Sequence, residues 1–409
     1  MNKNLAAIVF SLPFIFLWLT FTTGQPLFLA KFAPKQSPWS AGIIFQIFIF
    51  LSLLAGLIYC EKPQIKITHE SKKHSKIFWF FLLFYFSLFF YCSNLSLLTA
   101  MNRVPIDSKY ADMLPLMIDG FKDLMQWQTP YHPHQVPWTL TNYYLPGTFL
   151  PYYIGYLVGI DIRIVTIICI NGILLGLLWL SLFQSDKTKY SLIKSCSVWS
   201  IVAMLIMAHV KPFLCNIHLG PLWMYSCLAF IFLIKQRYKI SLIFLFLCLL
   251  SRESSLFTCA IPLFYLWFKN NLRLTFIGCI VFSTLILLPF ILADPFFIRG
   301  NIQQYESLGW YLEQNKSRFF GFAGLLLEKN LLHLRWAFFC VVFLSICAVF
   351  VVLRKRIIDY HVPLFAAATA ISFGLWALIT WEYLFVEPMV ILAPGVVFFI
   401  NKIDKKRLT

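Results

Sequence analysis

The chain has 409 residues, 60% of them hydrophobic and 12% charged, with a formal net charge of +17. Mean hydropathy is +0.77, more apolar surface than a soluble core can use, so the composition excludes an ordinary soluble enzyme and points to an all-α polytopic membrane protein. The basic residues lie in short loops between apolar runs, the positive-inside pattern, and so are no sign of nucleic-acid binding.

In chain order, apolar runs predict about twelve transmembrane helices near residues 5–23, 41–60, 77–101, 161–183, 191–208, 218–234, 239–251, 254–268, 272–293, 331–353, 360–380 and 382–400. The opening MNKNLAAIVFSLPFIFLWLT has the look of a signal segment. It lacks a small-x-small cleavage site and is soon followed by a second span, so an uncleaved anchor is expected. The runs 239–251 and 254–268 are short, and the SRES link between them is expected to dip below the membrane surface. The eleven cysteines fall mostly within apolar runs without a CxxC pair and read as small apolar fillers.

The lysine-rich loop 61–76 is assigned to the cytoplasm, which places 102–140 outside. Counting back from the basic C-terminus puts 354–359, 269–273, 235–239 and 184–194 inside as well. The two counts agree if TNYYLPGTFLPYYIGYLVG (141–159) does not cross. Its prolines and tyrosines suit the interface, so it is expected to be an outer juxtamembrane segment.

Between residues 102 and 160 the outer loop is acidic and aromatic. From Asp112 onward the helical period puts Asp112, Asp119 and Asp123 on one face and Leu114, Met117, Phe121, Leu124 and Met125 on the other. This predicts an amphipathic helix lying on the membrane, with Pro115 tolerated in its first turn. Asp119 and Asp123 read as a solvated face. Asp107 and Asp112 are the candidates for deprotonating a hydroxyl. The stretch 125–153, which includes Tyr131, Asn142 and Tyr143, offers rings and amides of the sort that bind sugars, although an aromatic interfacial belt has the same composition. No metal-ligand spacing such as HxH, HExxH or DxD stands out, so no metal is demanded. The paired carboxylates Asp107 and Asp112 would hold a divalent cation weakly.

The order of these features resembles the GT-C class of integral-membrane glycosyltransferases, more narrowly its bacterial, mannosyltransferase-like members that use polyprenyl-phosphate sugars. The resemblance rests on YADMLPL followed by a short helix and "PY", on YLPGTFLPYYIGYLVGIDIR, and on three later stretches. These are KPFLCNIHLGPLW (211–223), LLSRESSLFTCAIPLF (249–264) and LLPFILADPFFIRGNIQQY (287–305). It covers 77–310 of a single membrane domain. Residues 1–76 then supply two extra spans and 311–409 the C-terminal spans.

The resemblance implies outer-face juxtamembrane helices in loop 102–160 and a sugar donor carried on a polyprenyl phosphate. The acceptor would be a glycan, lipid or protein hydroxyl that attacks the donor. The loop charges put both chain termini in the cytoplasm, and the lysine-, asparagine- and phenylalanine-rich usage suits a bacterial inner membrane. Related sequences often place an acid four residues before the tyrosine. Here that position is Ile106, and the acid, Asp107, stands three before Tyr110, so the catalytic acid is Asp112 or Asp107, with Asp112 favoured. Arg252 is the candidate for the departing phosphate, because a guanidinium presents a planar fork to phosphate oxygens. A structural pair with Glu253 is the competing role, but adjacent helical residues point apart. Glu253, Lys211 and His218 complete the substrate-binding candidates. Arg163 with Asp161 reads as an orientation anchor; His333, Arg335, Glu382 and Glu387 carry less weight. Some members of the class use a divalent cation and others do not. A transporter or flippase of a lipid-linked glycan is the alternative, and it predicts repeated halves that the sequence does not display.

Overall fold

The computed structural model describes residues 76–108, 113–135, 139–142, 144–184, 189–210, 219–269, 272–293, 322, 325–326, 329–376 and 386–402. The chain is almost wholly helical within them. In order, the helices are α1 (Lys76–Asn102), α2 (Met113–Met125), α3 (Pro146–Leu157), α4 (Arg163–Gln184), α5 (Lys189–Val210), α6 (Gly220–Ile234), α7 (Tyr238–Leu249), α8 (Ser255–Trp267), α9 (Arg273–Ala293), α10 (Arg335–Leu353), α11 (Val362–Trp376) and α12 (Val386–Lys402). A two-stranded antiparallel hairpin, β1 (Pro133–Gln135) and β2 (Thr139–Thr141), pairs His134 with Leu140.

Ten of the expected spans meet a helix at their place in the sequence, and among the described residues five stretches are long and apolar enough to cross a membrane: Ile77–Asn102, Arg163–Leu182, Ser191–Ala208, Arg273–Ala293 and Leu332–Leu353. The expected spans 5–23 and 41–60 lie outside the described residues. α6, α7, α8, α11 and α12 are shorter apolar helices.

The central bundle is α4, α5, α6, α7, α11 and α12, whose side chains form one continuous apolar core. Small residues let the axes approach. A Cβ on Gly172 would meet Met224 Sδ at 2.7 Å, and one on Gly176 would meet Ile231 at 2.9 Å, the close packing expected of helices in lipid. α1, α9 and α10 form the rim. Their large apolar side chains point outward, with Phe81, Leu83, Leu274, Leu285, Val341 and Leu344 all exposed. That surface is stable only against hydrocarbon. Most of the described cysteines pack in the core as expected.

One end of the bundle gathers the start of α4, the end of α7 and the starts of α6, α8 and α12. α3 lies across this end. It has 12 residues, about 18 Å at 1.5 Å per residue, against a hydrocarbon core of about 30 Å. Phe149 and Tyr152 are buried beneath it, and the Tyr152 hydroxyl lies 2.6 Å from Thr166 Oγ1 at the start of α4. α3 is thus among the short helices of the chain, and it packs at the loop-bearing end where the sequence reading expected a segment that does not cross. The opposite end carries the basic loops. There Asp359 accepts hydrogen bonds from the hydroxyls of Tyr265 at 2.7 Å and Tyr238 at 3.2 Å, with Lys269 Nζ 3.7 Å away.

Asp161 and Arg163 anchor the loop-bearing end. Arg163 is buried. It pairs with Asp161 through Nη2 at 2.6 Å, and its Nη1 donates to the carbonyls of Met101 at 2.9 Å and Val104 at 2.6 Å. One guanidinium therefore ties the end of α1 to the start of α4. Burial raises the Asp161 pKa, but hydrogen bonds from Arg163 outweigh that and hold it below the ordinary carboxylate value.

Candidate functional site

α2 begins where the helical period predicted, with Pro115 in its first turn. Its apolar face is not laid on the bilayer, however. Leu114, Met117 and Phe121 are buried inside the protein, and the Phe121 ring packs 4.7 Å from Phe149 of α3. α3 covers part of the face that the sequence assigned to lipid. Asp119 remains at the surface, paired with Lys122 at 2.6 Å. Asp123 does not. Only 14% of its side chain is exposed, and it turns toward His132 and His134.

Asn142 is fully buried, and its Oδ1 accepts from the Tyr144 backbone N–H at 3.2 Å. Its amide nitrogen lies 2.9 Å from where a Gly120 Cβ would sit, so it holds the chain against α2. Tyr131 is buried, donates its hydroxyl to the Tyr144 carbonyl at 2.8 Å and sets its ring edge-on to Phe290 of α9. Burial, and then the nearby Glu253 carboxylate, raise its phenol pKa above the ordinary value. Tyr131 and Asn142 are thus both built into the loop; the Tyr131 hydroxyl is taken by the Tyr144 carbonyl, whereas the Asn142 amide nitrogen is buried without a hydrogen-bond partner among the described residues. Asp107 is exposed beyond the end of α1, next to Ile106, which packs on the α2–α3 cluster. Asp112, Tyr110, Tyr143, Lys211 and His218 lie outside the described residues, as does Glu382.

The link from α7 to α8 is roofed by α3. Gly147 N–H donates to the Leu250 carbonyl at 2.7 Å, and Thr148 Oγ1 donates to the Ser251 carbonyl at 3.0 Å. A Cβ on Gly147 would stand 2.7 Å from the Leu250 carbonyl carbon, so the contact requires glycine. The link expected to dip below the membrane surface is thus covered by α3.

Beneath that roof is a pocket lined by Leu219, Trp223, Arg252, Ser254, Thr258, Ala370, Phe373 and Glu387. Four helices supply it: the starts of α6, α8 and α12 and the end of α11. Arg252 and Glu387 are close enough to feel each other's charge, and Thr258 hydrogen-bonds Glu387. Glu387 Oε1 and the Trp223 indole N–H are shut off from solvent and have no hydrogen-bond partner among the described residues. A buried acceptor and a buried donor left open beside a guanidinium are the features of a site for a polar group. Glu387 was given little weight in the sequence, although an acid inside an apolar run is a functional candidate by default.

Searches against protein-family models, curated proteins and solved structures find no match to this chain.

Proposed function

We propose that the chain is an integral-membrane glycosyltransferase acting at the non-cytoplasmic face. It moves a hexose or pentose from a polyprenyl-phosphate donor to an acceptor hydroxyl, and both of its termini are cytoplasmic. The observation that carries this reading is Arg252. It lines a pocket with Glu387 at the same end of the bundle as the acidic loop, directly below the Gly147–Thr148 contact.

In this reading the acceptor oxygen attacks the anomeric carbon, and the bond from that carbon to the phosphate oxygen breaks. Asp112 or Asp107 takes the acceptor proton, and the departing phosphate takes its charge onto the Arg252 guanidinium. Glu387 and Thr258 hold Arg252 in place, while the Trp223 N–H supplies a neutral donor. The resemblance to the GT-C class supports the donor type, and the basic loops at the opposite end support the orientation.

Proteoliposomes containing a polyprenyl-phosphate sugar and the full-length chain test this. Free polyprenyl phosphate should accumulate in step with glycosylated acceptor. Arg252→Gln should reduce the rate by about 100-fold or more, as removal of a positioned donor to developing charge does, with Arg252→Lys intermediate. A donor that reaches the other leaflet with its sugar–phosphate bond intact would identify a flippase and overturn the transferase reading.

A further inference from the structure

We propose that Asp123, His132 and His134 bind a divalent transition-metal ion, Zn²⁺ by preference, which clips the β-hairpin to the last turn of α2. One ligand atom from each residue lies within 4.8 Å of the others. Both imidazoles bring Nε2 to the same carboxylate oxygen: His134 stands 3.2 Å and His132 3.6 Å from Asp123 Oδ2. Two ligand atoms on a tetrahedral zinc, each about 2.0–2.1 Å from the metal, lie roughly 3.3 Å apart, so the two spacings bracket that value.

The hydrogen bonding independently points to a cation. His132 Nδ1 lies 2.9 Å from the Thr129 carbonyl, which can only accept, so Nδ1 carries the ring proton. In the neutral ring Nε2 is then a lone pair facing a carboxylate. Two electron-rich atoms so placed repel unless a cation lies between them, either a second proton or a metal ion. A carbonyl holding the far nitrogen is also how metal-bound histidines are oriented. Asp123 Oδ2 is cut off from solvent and accepts no hydrogen bond among the described residues. His134 is only 8% exposed; its Nε2 also makes a long hydrogen bond to the Pro130 carbonyl at 3.4 Å, and metal binding would replace that proton with the cation. His132 is 42% exposed, which leaves a side open for a water ligand. Two imidazoles and one carboxylate suit Zn²⁺ better than Mg²⁺ or Ca²⁺, which prefer all-oxygen sites.

The sequence reading missed this, although His132-Pro133-His134 is itself an HxH spacing. Asp123 had been assigned to a solvated face, and what unites the three is the turn from α2 into the hairpin. The clip requires nothing of the transferase reading. Its effect is on the loop: it would fix the strand after Tyr131, the residue buried on α9.

The test uses the full-length chain in detergent, stripped with chelator and titrated with Zn²⁺ or Co²⁺. Wild type should bind about one ion per chain, and Co²⁺ should give visible d–d absorption bands. Exposed His132→Gln and the conservative Asp123→Asn should each weaken binding by at least about 10-fold and remove the bands. Asp119→Asn, at the surface carboxylate paired with Lys122, should leave both unchanged. Absence of Co²⁺ bands in wild type, or equal stoichiometry and affinity in wild type, His132→Gln and Asp123→Asn, would overturn the site and leave a protonated His–Asp pair in its place.

Discussion

Glu387 sits in the first turn of α12 with an oxygen that no described group hydrogen-bonds, on the rim of a pocket it shares with Arg252. If its work is to steady that guanidinium, Glu387→Gln keeps the shape and removes the charge. Sugar transfer should then fall about 10- to 100-fold while the protein still purifies as a folded species; undiminished transfer would take Glu387 out of the site. Arg163 makes a contrasting case. It is buried with two carbonyls and a carboxylate around it, and removing one partner of such a set costs about 3–5 kcal/mol. Arg163→Ala should therefore lower the melting temperature sharply, which thermal unfolding in detergent measures. The Asp161 pKa lies below its reference of 3.8 when folded. This pair thus contributes stability at neutral pH and loses it as pH falls through the folded value. Asp161→Asn should flatten that part of the acid-unfolding profile.

At the scale of elements, the contact of α3 with the α7–α8 link depends on having no side chain at residue 147. Gly147→Val places carbon atoms against backbone that has no room to yield. Overpacking of this kind costs about 1–3 kcal/mol. The variant should melt lower and transfer poorly, and unchanged behaviour would mean that the roof is incidental. Helix positions were legible in the sequence because apolar runs of span length, broken by basic loops, leave little choice. Charge parity suggested that 141–159 does not cross, and a short helix, α3, stands there. The cover over α2 was not. A face of Leu114, Met117 and Phe121 has the same period whether lipid or α3 lies against it, and only the fold decides between them. Likewise, Tyr131 and Asn142 have the composition of a sugar site, and only the packing shows that the Tyr131 hydroxyl and the Asn142 amide oxygen are engaged within the loop while the Asn142 amide nitrogen is left open among the described residues. Topology itself is checked by single cysteines. Trp127→Cys and Lys355→Cys, both at exposed positions, should label from opposite sides of the membrane; same-side labelling would invalidate the orientation.

For the whole molecule, the polar groups divide between two ends. One holds Asp359 with Lys269 and two tyrosines; the other holds Arg252, Glu387, α2, α3 and the histidine cluster. The pocket was only half legible in sequence. Arg252 was visible because an arginine beside two short spans is costly without a ligand. Glu387 and Trp223 reach it from distant segments by helix packing, which no local pattern reports. The most direct measurement is a cryo-EM map of the full chain with polyprenyl phosphate bound. The account predicts phosphate density within about 4 Å of the Arg252 guanidinium, between α8 and α12, with the lipid tail leaving toward the membrane. Phosphate density at the basic end beside Lys269, with the Arg252 pocket closed to the lipid, would contradict it.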